Sequence, residues 1–253
     1  MYPKPLNHSK YGRLSRRKAV TLIAGMLCLD GVLLVSDREE SGGDRKDSVP
    51  KVAEWYDSRC SLAMAGAGHG PLCDVAIESI GRAAKKSGNS FLDDYESVIS
   101  DALRDLHNKY IWQTNSQDDR RIALILGLHN RERDSFSLYL TCEEILQPKQ
   151  GYACSGVGEI LGGYFLERLY SPGLHVDEAE TLAAFIAKEA KDSVGQVGRE
   201  TEFVTLRKGT GQISRSWRSR ATDRDIPHLL TCMNHFWEIK KSARPHTTDT
   251  TRV

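Results

Sequence analysis

TLIAGMLCLDGVLLVSD, residues 21–37, is the stretch that decides the fold of this chain. It holds two runs rich in Leu, Ile and Val, residues 21–28 and 32–36, which are separated by Leu29, Asp30 and Gly31. An Asp-Gly pair between apolar runs is a strong hairpin signal, because both residues tolerate the positive φ angles of a tight turn. The stretch therefore predicts two buried strands joined by a tight turn at Leu29-Asp30-Gly31.

The chain beyond this hairpin alternates between strand-like and helix-like patterns. Residues 38–50 are charged and carry glycine and proline, so we expect a loop there. The patterned segments, in chain order, are strands at 51–55 and 61–66, helices at 70–86 and 91–110, strands at 121–128 and 136–142, helices at 157–169 and 176–193, and a strand at 202–207. Because each helix pair can cover one sheet while the sheets face each other, this order predicts an α+β fold. Specifically, it predicts a four-layer αββα sandwich of two antiparallel sheets flanked by helix pairs.

The composition is that of an ordinary soluble protein. The chain has 253 residues, 40% hydrophobic and 27% charged, with a formal net charge of +1. So small a charge provides no field that would attract nucleic acid or an anionic membrane, and we expect neither as a partner. The six cysteines form no C-x-x-C pair, which argues against a zinc site or a redox motif. We expect reduced cysteines, a cytoplasmic location, and no metal or cofactor.

Both ends of the chain differ from the predicted domain at residues 21–215. Residues 1–20 carry six basic residues and no acidic one, which predicts a disordered arm. Ser15-Arg16-Arg17 followed by an apolar stretch imitates an export signal, but Asp30-Gly31 interrupts that stretch, so we reject this reading. In the tail, residues 216–253, an apolar stripe predicts a helix at 226–241. We expect this helix to pack on its own sheet, with docking on a neighbouring subunit or an ATPase partner as the alternative.

Several separated pieces of the chain share a resemblance to one family. The pieces are Thr21-Leu-Ile-Ala-Gly25, residues 30–38, Pro50-Lys51-Val52, Ala63-Met64-Ala65-Gly66, Cys154-Ser155-Gly156-Val157-Gly158 and residues 189–192. In this order and spacing they resemble the β-type subunits of the proteasome and the related bacterial HslV peptidase, across residues 21–210. The family resembled consists of N-terminal-nucleophile (Ntn) hydrolases, so the resemblance implies a threonine peptidase or amidase.

The resemblance also implies a role for each matching residue. Thr21 would be the nucleophile, Lys51 would lie beside its hydroxyl as a cation, and Asp37 would orient Lys51. Ser155 and Asp192 would hold the terminal amine and a water. The N–H of Gly66 would stabilise the oxyanion.

Each of these residues also has an ordinary structural interpretation. Thr21 suits a strand, Asp37 and Lys51 could form a surface ion pair, Ser155 could cap a helix and Asp192 could be one of many exposed helix carboxylates. The joint occurrence in family order favours the functional interpretation.

Thr21 can use its own α-amine as the base only if it is the first residue of the mature chain, since that amine has a reference pKa of about 7.7–8.0. Val20 stands where self-processing subunits of the family carry glycine, and its bulk hinders the tight turn that self-cleavage needs. A GTG start codon is translated as valine when an open reading frame is extended too far upstream, and Val20 fits such a codon. We therefore expect either processing of residues 1–20 or initiation at residue 20 followed by removal of methionine.

Two classes of function follow from the resemblance. The leading one is hydrolysis of a peptide or small amide through an acyl-enzyme on Thr21. The resemblance also implies a homo-oligomer, for which it allows a ring and an ATPase partner. The alternative is a non-catalytic subunit that serves assembly. That alternative gives no reason for Lys51 and Asp37 to accompany Thr21.

Overall fold

The computed structural model describes residues 21–42, 45–112, 120–209, 213–216 and 231. The predicted arm at 1–20 and the predicted helix at 226–241 lie outside these residues, apart from Thr231. The strands are β1 Leu22–Cys28, β2 Gly31–Asp37, β3 Glu39–Gly42, β4 Arg45–Ser48, β5 Val52–Tyr56, β6 Cys60–Gly68, β7 Ile122–Asn130, β8 Ser135–Cys142, β9 Ile145–Lys149, β10 Tyr152–Gly156, β11 Thr201–Arg207 and β12 Ile213–Ser216. The α-helices are α1 Gly70–Ser87, α2 Tyr95–Leu106, α3 Glu159–Leu169 and α4 Val176–Ser193.

Two five-stranded antiparallel sheets form the centre of the domain. The first has the order β10-β1-β2-β11-β12, and the second has the order β5-β6-β7-β8-β9. The predicted hairpin is β1 and β2, which pair from Ile23 opposite Ser36 to Cys28 opposite Gly31. β3 and β4 form a separate two-stranded ribbon.

Three apolar clusters show that the sheets and helices are stacked in four layers. The cluster between the sheets includes Ile23, Val32 and Ile125, all with 0% exposure. A second cluster packs α3 and α4 on the β1–β2 sheet, and a third packs α1 and α2 on the β6–β7 sheet. The predicted αββα sandwich is confirmed, because each helix pair covers the outer face of one sheet.

The sheets approach closely at Gly25 on β1. A Cβ atom at this position would lie 2.8 Å from side-chain atoms of both Ile125 and Leu138 on the opposite sheet. A larger residue here would force these side chains to shift, so Gly25 allows the close packing of the two sheets at this point.

The predicted loop at 38–50 is wrong in part, because the structure has the β3–β4 ribbon there. β9, β10 and β12 were also missed, and all three lie at sheet edges. Short edge strands are stabilised by backbone hydrogen bonds more than by buried side chains, so their apolar pattern is weak. β9 also contains Pro148, which has no N–H, and an edge strand tolerates proline because one of its sides makes no ladder hydrogen bonds.

The helix predicted at 91–110 is divided into three parts. Gly88–Asp93 is a 3₁₀-helix, α2 follows, and His107–Ile111 forms a π-helical turn. Arg59 fixes the first break by donating to the carbonyl oxygen of Asn89 and, at 2.9 Å, to the carboxylate of Asp93. Within the described ranges, no helix combines the length and the apolar character needed to cross a membrane.

Candidate active site

The buried carboxylate of Asp37, the last residue of β2, is the fixed point of the site. Its side chain has 0% exposure. Oδ1 accepts the N–H of Leu22 at 2.9 Å, and Oδ2 accepts the N–H groups of Glu39 at 3.2 Å and Gly198 at 3.3 Å. A buried carboxylate that accepts several backbone N–H groups is rigid, and it can hold a cation in one position.

Lys51, immediately before β5, brings a positive charge against this carboxylate. Its Nζ lies 3.1 Å from Asp37 Oδ1 and 2.5 Å from the carbonyl oxygen of Glu39, and the Lys51 side chain is 11% exposed. Nζ also donates to Oγ1 of Thr21. An ammonium on a threonine hydroxyl stabilises the alkoxide form, because the charge of the cation offsets the developing negative charge.

Thr21 is held at the start of β1 with 3% exposure. Its carbonyl oxygen accepts the N–H of Gly158 at 3.4 Å. Gly156 has φ of +100°, and a Cβ there would lie 2.1 Å from that same oxygen. The turn after β10 therefore needs glycine in order to pass the Thr21 backbone.

The structure brings Thr21, Asp37 and Lys51 together. The other three predicted residues have the positions and contacts that follow. Ser155 is half-buried on β10, opposite Ile23 of β1. The carboxylate of Asp192 is 62% exposed and accepts Lys188 Nζ at 2.6 Å. Gly66 lies on β6, where its N–H donates to the carbonyl oxygen of Lys51 at 3.2 Å.

The neighbour of Asp192, Lys191, faces the site from the end of α4. Its Nζ donates to Thr201 Oγ1 at 2.7 Å, and Thr201 lies opposite Asp37 in the strand register. Burial lowers the pKa of Lys191, and the charge of Asp37 opposes that shift. The sequence prediction did not include Lys191, although it lies one residue from a predicted position.

A buried acid, Glu202 on β11, lies on the other side of Lys51. Its Oε2 accepts the backbone N–H of Lys51 at 3.3 Å. Burial raises the pKa of Glu202, while the charge of Arg215 acts in the opposite direction. Glu202 was not among the predicted site residues. Its signal in the sequence is a charged residue directly before the apolar run Phe203-Val204.

A cavity of about 470 Å³ opens beside Lys51, between β5 and α1. Its walls include Ala53, Met64 and Ile77, and charged side chains such as Asp74 and Arg82 also line it. Within the described part of the chain, no group of three or more His, Cys, Asp or Glu side chains is arranged to hold a metal ion.

Comparison with solved structures shows the same fold in proteins of very different sequence. A Gly-1 mutant of Anbu from Hyphomicrobium sp. strain MC1 is 14% identical, with a TM-score of 0.72 over 88% of this chain and 97% of the other. Anbu from Yersinia bercovieri, described as an ancestral beta-subunit, is 13% identical with the same TM-score and coverage. A chain from the helical assembly of the Anbu complex from Pseudomonas aeruginosa is 12% identical, with a TM-score of 0.68 and again the same coverage.

These comparisons correct the resemblance drawn from the sequence. The structures named above are Anbu chains, whereas the sequence motifs had suggested the proteasome β subunits and HslV. No protein-family profile matches the chain. No curated protein matches its sequence either. At 12–14% identity the structural likeness shows the fold alone.

Proposed function

We propose that this chain is a threonine-type N-terminal-nucleophile hydrolase that cleaves peptide or other amide bonds through an acyl ester on Thr21. The observation that carries the proposal is the hydrogen bond from Lys51 Nζ to Thr21 Oγ1, with Lys51 held by the buried carboxylate of Asp37. A surface ion pair would not be buried against a threonine hydroxyl at the start of a central strand.

The proposed reaction has two acyl-transfer steps. Thr21 Oγ1 attacks the substrate carbonyl carbon as its proton passes to the α-amine of Thr21, and Lys51 stabilises the negative charge on Oγ1. The tetrahedral intermediate then expels the amine product, which takes the proton, and an ester remains on Oγ1. Water then attacks the ester and gives one proton to the α-amine of Thr21. That proton passes to Oγ1 as the acid product leaves. The base exists only when Thr21 is the first residue, so we propose that residues 1–20 are absent from the active form.

Three further roles belong to the same proposal. Ser155, on the strand beside β1, would orient the α-amine. The Asp192 carboxylate could join this network only by exchanging its bond to Lys188. Gly66 N–H could donate to an oxyanion only if its bond to the Lys51 carbonyl opens, which requires a small shift of the β5–β6 pair.

The test uses a peptide epoxyketone, an electrophile that reacts with the hydroxyl and the amine of one N-terminal residue. Protein that begins at Thr21, verified by intact mass, should gain the mass of one inhibitor. Thr21→Ala should gain none, whereas Thr21→Ser should react because it keeps both groups. Failure of the Thr21 form to react would refute the hydrolase and leave a non-catalytic subunit.

Two companion measurements address the mature chain and its assembly. Intact mass of protein from its native source should show Thr21 first, and a chain that retains residues 1–19 would contradict this. We also propose self-association, supported by the helical assembly of the Pseudomonas aeruginosa structure. Sedimentation velocity should therefore show a species larger than 28.3 kDa. A lone monomer at working concentration would overturn this part.

A further inference from the structure

We infer that Glu202 is a positioning residue, which holds the backbone at Lys51 so that the lysine ammonium meets the Thr21 hydroxyl. The catalytic part of this inference rests on the proposed function. Its structural part, a side chain that fixes a backbone segment, stands on the contacts below and can be tested without any activity.

The first contact is between Glu202 and the start of β5. The Glu202 side chain has 0% exposure, and its Oε2 accepts the N–H of Lys51 at 3.3 Å. The backbone of Val52, the next residue, also lowers the pKa of this carboxylate. β5 is an edge strand and Lys51 precedes its first ladder pair, Val52 opposite Ala65. Glu202 therefore supplies an acceptor that the strand ladder does not offer to Lys51.

Arg215 on β12 completes a clamp with Glu202. Its Nη2 donates to the carbonyl oxygen of Val52 at 2.7 Å, and its Nε donates to Glu54 at 2.7 Å. Nη1 lies 3.4 Å from Glu202 Oε1. No donor among the described residues makes a hydrogen bond to Oε1, so this contact acts mainly through charge. The clamp thus joins β11 and β12 of one sheet to β5 of the other.

The other side of Lys51 is fixed by β6. The Lys51 carbonyl oxygen accepts the N–H of Gly66 at 3.2 Å, while its N–H is bound by Glu202. Both peptide groups of Lys51 are therefore restrained in the structure, which leaves its side chain aimed at Asp37 and Thr21. If Gly66 turns its N–H to an oxyanion, the bond to Glu202 is the one that still holds Lys51. Small errors in the position of a catalytic group are costly, so a residue that fixes this backbone affects the rate.

The charges around Glu202 indicate that the acid is held there against the cost of burial. Burial raises its pKa, whereas Arg215 on β12, Arg38 after β2 and the backbone groups of Lys51 and Val52 lower it. An apolar residue would avoid that cost, but it would leave the N–H of Lys51 without this acceptor.

The first test compares Glu202→Gln and Glu202→Leu in the Thr21 form of the protein by amide hydrogen exchange. Glu202→Leu should speed exchange at Lys51 and Val52 by about tenfold or more, because a buried acceptor is lost, while the amides of β7 keep their protection. Glu202→Gln keeps an oxygen acceptor and should retain most of the protection. Unchanged exchange at Lys51 in Glu202→Leu would overturn the inference.

The second readout is the reaction with the peptide epoxyketone. The maximal inactivation rate should fall about tenfold or more in Glu202→Leu, with the half-saturating concentration nearly unchanged, and Glu202→Gln should recover most of the rate. The matched control is Glu180→Gln, a buried acid on α4 that lies 3.7 Å from Arg207. This control should leave both kinetic values unchanged. An equal loss of rate in Glu180→Gln would reduce the role of Glu202 to general stability.

A third variant keeps the test decisive if Glu202→Leu does not fold. Arg215→Met removes the partly exposed half of the clamp and should also speed exchange at Val52. One outcome would contradict the clamp. In it, Arg215→Met and Glu202→Gln both lower the epoxyketone inactivation rate, while hydrogen exchange at Lys51 and Val52 stays as slow as in the unmodified protein. If the unmodified Thr21 form does not react at all, the hydrolase proposal fails, and hydrogen exchange still decides whether Glu202 holds Lys51.

Discussion

The two ends of β2 carry charged clusters that differ in their contact with water. Asp37, which ends β2, is buried with Lys51 beside Thr21, and Lys191 approaches from the end of α4. Asp30, just before β2, meets the start of α4, where it lies 3.6 Å from His175 and 3.7 Å from Arg207. β2 and α4 thus each have charged contacts at both of their ends.

The acids at the two ends of β2 differ in how far their side chains are exposed. The Asp37 side chain has 0% exposure, whereas Asp30 is 34% exposed and Asp177, bound to Arg207 at 2.5 Å, is 72% exposed. Exposed pairs contribute about 0–1 kcal/mol, while removal of one partner from a buried pair costs about 3–5 kcal/mol. The acid that ends β2 is kept from water at the end where we place the chemistry. At the other end Asp30 and Asp177 stay in contact with water, and only Glu180 beside Arg207 is buried among the acids named here.

The largest expected effect is on the reactivity of Thr21. Lys51→Met removes the cation from the Thr21 hydroxyl, and we expect the epoxyketone inactivation rate to fall about 10²- to 10⁴-fold. Arg207→Met removes a cation of the opposite cluster and should leave the rate unchanged. Normal reactivity in Lys51→Met would mean that the two ends do not differ in chemistry.

The next effect is on stability. Asp37→Asn leaves the Lys51 ammonium buried beside a neutral group, and one side-chain oxygen can no longer serve as an acceptor. We expect a loss of about 3–5 kcal/mol in the free energy of unfolding, measured by urea denaturation. A loss below about 1 kcal/mol would place this pair among ordinary surface contacts.

The layers of the fold could be predicted from the sequence because they depend on buried side chains. The β1–β2 hairpin has a continuous apolar pattern, and α4 was predicted at residues 176–193, which are its bounds in the structure. The β3–β4 ribbon and β9 depend on backbone pairing at edges, which leaves little trace in the side-chain pattern. The break before α2 also escaped prediction, because it is set by the distant Arg59.

The site was only partly accessible from the sequence. The resemblance drawn from the sequence, although it named the wrong family, pointed to Thr21, Asp37 and Lys51, and the structure brings these three together. At the end of α4 the contact to the site comes from Lys191 rather than Asp192. Successive helix residues differ by about 100° in direction, so a one-residue offset turns a side chain from site to solvent. The role of Glu202 could not be predicted from the sequence, because its hydrogen bond to the Lys51 N–H joins two different sheets and exists only in the folded protein.

A smaller effect is expected at Gly156, which lets the turn after β10 pass Thr21. Gly156→Ala adds a Cβ against the Thr21 carbonyl oxygen at a positive φ, and should cost about 1–3 kcal/mol of stability. Gly163→Ala in α3 is the matched control, because a Cβ there meets no atom within 4 Å. That helical substitution should stabilise by about 0.5–1 kcal/mol. Equal effects of the two changes would show that the turn at Thr21 has no special constraint.

The smallest effect is expected at Asp30, the counterpart of Asp37. Its Oδ1 accepts the first N–H of α4, from Val176, at 2.8 Å, and Asp30→Asn keeps an oxygen that can make this bond. Only the partly exposed attraction to Arg207 is lost, so unfolding should become easier by at most about 1 kcal/mol. High salt should shrink the difference, since exposed charges are screened. Urea denaturation at low and high salt measures this directly, and a salt-independent loss as large as that of Asp37→Asn would remove the contrast between the two ends of β2.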